Sequence, residues 1–176
     1  MLQFLRTYSD CIVTTGQILR KEPEAFDPRA VKTMGFDPKI YFEKPKPVAV
    51  LTNTLNANLM QVGNRLYADK NYKKHILTKP QSFERFKEFD QSALAEFSKF
   101  NTSVSSVEGL NLRKGIEYLQ QEYGYEFILV EAGASTTVPC YSETQAVNAR
   151  KTPRIDHKCD GNPIDTLYLA IFEGQL

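Results

Sequence analysis

The sequence predicts an α/β fold built on a mostly parallel sheet with an antiparallel C-terminal strand. Two observations carry that prediction. Short apolar runs alternate along the chain with segments whose apolar residues recur at helical spacing. The run Phe127 to Val130 is continuously apolar, as a parallel strand covered on both faces must be. The length, 176 residues at 41% hydrophobic, suits one domain spanning 1–176 with one core.

Taken in order, residues 2 to 8 place Leu2, Phe4 and Leu5 on one helical face, and Asp10 precedes a first strand from Cys11 to Thr14. In "DCIVTTGQILRKEP", residues 10 to 23, that strand stops at Thr14, Thr15 and Gly16 and turns toward a short helical run. A glycine there makes a turn, or lets backbone N–H groups approach a phosphate. Between 21 and 47, Pro23, Pro28, Pro38, Pro45 and Pro47 forbid a long regular element, which leaves an extended surface connection. "PVAVLTN", 47 to 53, is the second strand.

A third short strand runs from about His75 to Thr78 and is closed by Pro80. Ser82 is placed to cap a helix whose Phe83, Phe86, Leu94 and Phe97 form the apolar stripe, read as cover for the sheet. "TSVSSV", 102 to 107, is a weak strand. The clearest unit follows: Asn111 as N-cap, Leu112, Ile116, Leu119 and Tyr123 at helical spacing, Gly124 as stop, then the strand at 127 to 130. At its end "EAGAST", 131 to 136, is a second small-residue junction. Residues 164 to 172, "IDTLYLAIF", alternate like an antiparallel strand near a sheet edge.

Charge and cysteine content narrow the function classes. Lys+Arg 22 against Asp+Glu 21 leaves +1, so no global field draws the chain to nucleic acid or an anionic membrane, and a bound anion must be held locally. No segment approaches the roughly 20 apolar residues of a membrane span, and a soluble, cytoplasmic protein is expected. Cys11, Cys140 and Cys159 are widely separated and read as reduced thiols. His157 and Cys159 fit no zinc spacing, so no metal is expected. His75 reads as a surface or satisfied histidine, and Tyr118, Tyr123 and Tyr125 as packing.

In order, "DCIVTTGQILRKEP", "PVAVLTN", "GLNLRKGIEYLQQEYGYEFILVEAG" and "IDTLYLAIF" resemble the reductase domain at the C-terminus of the bacterial bifunctional riboflavin deaminase-reductase family. The resemblance runs from Asp10 to Phe172, with added sequence around 80–101 and 143–161. It implies a dihydrofolate-reductase-like three-layer fold, dimers, and reduction of the ribosylamino group of a phosphorylated pyrimidine by hydride from NADPH. The family's glycine-containing turn with its threonine matches Thr15, Gly16 and Gln17, followed by Glu22 and Pro23; its Glu-Gly-Gly matches Glu131, Ala132 and Gly133.

On that resemblance, Thr14, Thr15, Gly16 and Gln17 meet one phosphate end of NADPH, and Glu131, Ala132, Gly133 and Ser135 belong to the turn that holds the pyrophosphate, with Thr136 closing it. Glu131 is read as fixing its turn by hydrogen bonding and not as a proton carrier. No residue stands out as a general acid or base, which suits hydride transfer governed by orientation.

Three departures are visible. Ala132 replaces a glycine, which adds a Cβ where the backbone should approach phosphate, and Pro139 follows closely. The family's first strand, with its Ser-x-Asp-Gly-type turn, has no counterpart, which would leave two rows of unpaired backbone groups and an open core, a vacant slot beside 127–130, unless another segment fills the gap. A truncated or divergent member is therefore expected, and the alternative is a non-catalytic remnant or interaction protein that keeps the fold. Arg150, Lys151, Arg154, His157 and Lys158 form a basic loop, read as a solvated insertion or as a contact for a phosphate.

Overall fold

Strand alternation decides how the layers form, because successive side chains leave a strand on opposite faces. The computed structural model describes residues 5, 6, 8–22, 46–56, 59, 66, 67, 69–89, 91–137 and 168–173, with the backbone alone at 91, 93, 134, 135 and 168–173. The expectations on Leu2, Phe4, the prolines from 23 to 45, Pro139, Cys140, Cys159 and the basic loop lie outside these residues, as do 164–167 of the last strand.

The elements run β1 (Cys11–Thr15), α1 (Gly16–Lys21), β2 (Val48–Leu51), β3 (Lys74–Thr78), α2 (Pro80–Phe89), α3 (Gln91–Lys99), β4 (Thr102–Ser106), α4 (Leu112–Tyr123), β5 (Phe127–Ala132), α5 (Ala134–Thr137) and β6 (Tyr168–Glu173). The sheet order is β4-β3-β2-β1-β5-β6. From β1 to β4 the chain steps outward in one direction, then crosses back to place β5 on the other side of β1. All pairs among β1 to β5 are parallel, with Val13 opposite both Ala49 and Val130. β6 runs antiparallel to β5, with Leu129 opposite Ile171. The backbone row beside 127–130 is thus taken by β6.

Two apolar clusters cover the two faces. Ile12, Val48, Val50, Ile76 and Leu129 pack with Leu19 of α1, Phe86 of α2 and Phe97 of α3. Val13, Leu51, Leu77, Ile128 and Val130 pack with Leu112, Ile116 and Leu119 of α4. The result is an α/β arrangement with helices on both faces of a parallel sheet. β1 and β2 are buried along their whole length, which is why Cys11 to Val13 and Val48 to Leu51 are apolar without alternation. Among the described residues no helix is long and apolar enough to cross a membrane.

The unit from 111 to 132 forms as expected. Asn111 accepts from the Lys114 N–H at 2.9 Å and caps α4. Gly124 ends it at φ 67, a left-handed conformation that a residue with a Cβ adopts at a cost. β5 then extends to Ala132, beyond Val130.

Between 80 and 99 the structure departs from the expectation of one helix. Pro80 does not merely close β3; it occupies the first position of α2, where its missing N–H costs nothing. Ser82 is therefore inside the helix, and its hydroxyl donates to the Asn53 carbonyl at 2.6 Å instead of capping. The stripe is divided over two helices that fold together, with the Phe86 and Phe97 ring centroids 6.1 Å apart. An apolar repeat records which residues face the core but not a bend between them.

Candidate functional site

The C-terminal ends of the parallel strands carry the polar turns. At the end of β1, Thr15 is extended (φ -120, ψ 151) and its Oγ1 accepts from the Ile18 N–H at 3.3 Å, so the strand passes directly into α1. At the end of β2, Thr52 Oγ1 donates to the Thr54 carbonyl at 2.8 Å and accepts from the Thr54 N–H at 3.2 Å, which turns the chain sharply. These two turns touch. A Cβ on Gly16 would lie 3.0 Å from Thr52 Oγ1, so glycine here serves close approach of two strand ends, not a positive φ.

Between the turns lies an open cleft of about 220 Å³. Thr15, Gln17 and Arg20 line it from β1 and α1, Thr52 to Thr54 from the turn after β2, and Thr136 from α5 after β5. The segment after β4 completes it with Asn111 and an apolar wall of Leu110 and Leu112, joined by Leu51. Loops following four parallel strands thus meet across the point where strand order reverses between β1 and β5. That is where open parallel sheets hold ligands.

Among its described lining residues there is one cation, Arg20, and no carboxylate. The rest of its polar surface is hydroxyls and side-chain amides. Such a surface donates hydrogen bonds to an anion and lacks the acidic oxygen set that a hard cation requires. Among the described residues no cluster of His, Cys, Asp and Glu is arranged to hold a metal.

The sequence-predicted residues divide sharply. Thr15 and Gln17 line the cleft, together with Thr136. Gly16 lies buried beneath them. Thr14 points to the opposite face of β1, with Ile12, and is fully buried; its hydroxyl makes no hydrogen bond with a described residue. Glu131 does not fix its own turn. It is buried and forms a two-pronged pair with Arg6, Nε to Oε1 and Nη2 to Oε2 both at 2.6 Å. Ala132 is fully buried in the α4-side core, so its Cβ packs there and does not obstruct the cleft.

Gly133 is half-buried beyond β5, and its carbonyl accepts from the Thr136 and Thr137 N–H groups at 2.9 and 3.2 Å. A Cβ there would meet no described atom within 4 Å. Ser135 lies in α5, with its backbone alone described.

Arg20, Thr52, Asn53, Thr54 and Asn111 are the polar lining residues that sequence reasoning missed, together with the apolar Leu51, Leu110 and Leu112. Thr52 and Thr54 had a readable signal, since "LTNT" ends a parallel strand just as "VTTG" does. Asn111 was legible as a cap but not as a wall of the cleft. Arg20 carried no local signal, because its role depends on the backward fold of its side chain.

The opposite end of the sheet is polar too, but closed. His75 is fully buried, not a surface residue; its Nδ1 lies 2.9 Å from Ser103 Oγ and its Nε2 3.1 Å from the Tyr125 hydroxyl. Tyr123 stacks on the imidazole with centroids 4.0 Å apart. Burial, with Lys73 adding repulsion, lowers the imidazole pKa from 6.5 to about 4, so it is neutral at pH 7. Lys74, on the other face of β3, donates to the carbonyls of Leu66 and Asp69, and burial lowers its pKa to about 8. The Cys11 thiol is buried and pushed up to about 12, chiefly by desolvation, which makes it unreactive.

Compared with known proteins, the sequence matches no family model and no curated protein.

Proposed function

We propose that the protein is an NADPH-dependent reductase of the riboflavin-pathway type, its sheet that of a dihydrofolate-reductase-like domain, and that the cleft holds a phosphorylated part of the cofactor. One observation carries the reading: loops after β1, β2, β4 and β5 converge at the strand-order reversal on a cleft whose described lining has a cation, amides and hydroxyls but no carboxylate. The volume sets the scale. About 220 Å³ is below the roughly 300–1,000 Å³ of pockets that enclose a drug-sized ligand, so the cleft encloses one nucleotide portion of a dinucleotide.

The residues fit that group. Thr136 and Gln17 offer donors to phosphate oxygens from opposite sides. Leu51, Leu110 and Leu112 supply an apolar surface for a ribose or base edge. The cofactor, when bound, supplies the hydride to the phosphorylated pyrimidine; the chain's own work is to orient it. The rival reading, a scaffold that keeps the fold without catalysis, is favoured by the engagement of Glu131 with Arg6. Binding without turnover on any ribosylaminopyrimidine phosphate would select the rival.

The deciding experiment is a thermal-shift titration with NADPH of the wild type and Gly133→Asp. At a hundredfold excess over Kd, binding raises stability by about 2.7 kcal/mol and Tm by roughly 5–10 °C. The Cβ of Gly133→Asp would meet no described atom within 4 Å, so the unliganded Tm is expected to hold while affinity falls about tenfold or more from charge repulsion. No shift in a folded wild type overturns the cofactor reading. A shift that the variant reproduces in full removes the turn at 133 from the site.

A further inference from the structure

Arg20 is the one charged side chain among the cleft's described lining residues, and its placement is specific. It lies in the last turn of α1, yet its side chain folds back along the helix. The Nη1 atom reaches to 3.5 Å from where a Cβ on Gly16 would be, beside Thr52. At that distance a Cβ would make ordinary contact with the guanidinium, so glycine at 16 is required by the threonine alone, and Arg20 lies over the same corner. No hydrogen bond or ion pair joins Arg20 to any described residue, and the residue is exposed. A guanidinium beside a polar cleft whose described lining carries no carboxylate presents its N–H fork to whatever anion enters.

We infer that Arg20 is the anchor for a terminal phosphate monoester, so that the cleft selects ligands bearing one. A monoester presents equivalent oxygens at its end, matching the planar fork with two parallel hydrogen bonds, and carries close to two negative charges at neutral pH. A pyrophosphate bridge has its charge within the chain of the ligand, where hydroxyl and amide donors such as those of Thr136 and Asn111 suffice. Two sources provide a monoester on the reading above, on which this inference rests for its probes: the 2′-phosphate that distinguishes NADPH from NADH, or the 5′-phosphate of a phosphoribosyl substrate. Lysine at position 20 would keep the charge but lose the fork.

The test is isothermal titration of wild type, Arg20→Ala and Arg20→Lys with NADPH, NADH and ribose 5-phosphate, with the unliganded Tm checked first. Arg20 is exposed, so both variants are expected to fold with unchanged Tm. If the 2′-phosphate is the source, wild type binds NADPH about tenfold or more tighter than NADH. Arg20→Ala then abolishes that difference with NADH affinity unchanged, and Arg20→Lys restores part of it. If the substrate phosphate is the source, NADPH and NADH bind alike, and ribose 5-phosphate binding is lost in Arg20→Ala. Unchanged affinities for all three probes in Arg20→Ala overturn the anchor while leaving the nucleotide reading intact. Absence of any binding to folded wild type overturns both.

Discussion

The two ends of the sheet both gather polar side chains, and they use them differently. At the N-terminal end the groups engage one another. His75 is held by Ser103 and Tyr125, Lys74 by two carbonyls, and Asp10 accepts from the Glu126 and Phe127 N–H groups at 3.1 and 2.8 Å. At the C-terminal end, the side chains of Arg20, Gln17 and Thr136 line a cleft and make no hydrogen bond with a described side chain. Buried polar groups that satisfy one another specify a fold. Donors left open in a crevice can serve a ligand.

Glu131 is the instructive exception, because it stands at the C-terminal end yet is engaged in folding. Its carboxylate and the Arg6 guanidinium are 7% and 10% exposed as side chains, and the pair ties the N-terminal residues to β5 across 125 positions. Arg6→Met leaves the carboxylate buried without this cation. The expected loss is about 3–5 kcal/mol in urea denaturation; a loss under about 1 kcal/mol would mean that Glu131 belongs with the open groups.

Acid should attack the closed end next. The His75 pKa is about 4 in the fold and near 6.5 when unfolded, so between those values the unfolded chain binds the extra proton. The stability from this group is complete above about pH 6.5 and declines as pH falls toward 4. The Tm is expected to drop by roughly 5–10 °C over that window. In His75→Gln that component of the acid sensitivity should vanish, although the variant starts less stable. An unaltered pH profile would show that the imidazole is not sealed.

Asn111→Asp gives the smallest effect and tests the open end alone. Aspartate caps a helix about as well as asparagine, so Tm should stay within about 2 °C. The new carboxylate faces the cleft, and nucleotide affinity should weaken by about threefold. If affinity is untouched, Asn111 acts only as the cap of α4.

Local signals made much of this legible. Asn111 and Gly124 bracket α4 because a cap and a left-handed stop act within one turn of chain. The apolar run at 127–130 announced a buried parallel strand, and 11–14 and 47–53 were legible as strands. What escaped were pairings between distant residues. Ser82 looked like a cap because serine commonly is one, and only the proximity of Asn53 reveals its other use. Ala132 looked like an obstruction to phosphate, but the alternation of β5 turns it into the core.

By itself, then, the sequence determined the α/β class, the main strands, the bounds of α4 and the two strand-end junctions, all of which follow from periodicity and short-range backbone chemistry. Tertiary structure alone decided that the end of β2 belongs to the same cleft as the end of β1, that Glu131 answers Arg6, and that Arg20 folds back over Gly16. Those outcomes depend on strand order and side-chain direction. No local pattern encodes them, because the groups concerned meet only when the sheet has assembled.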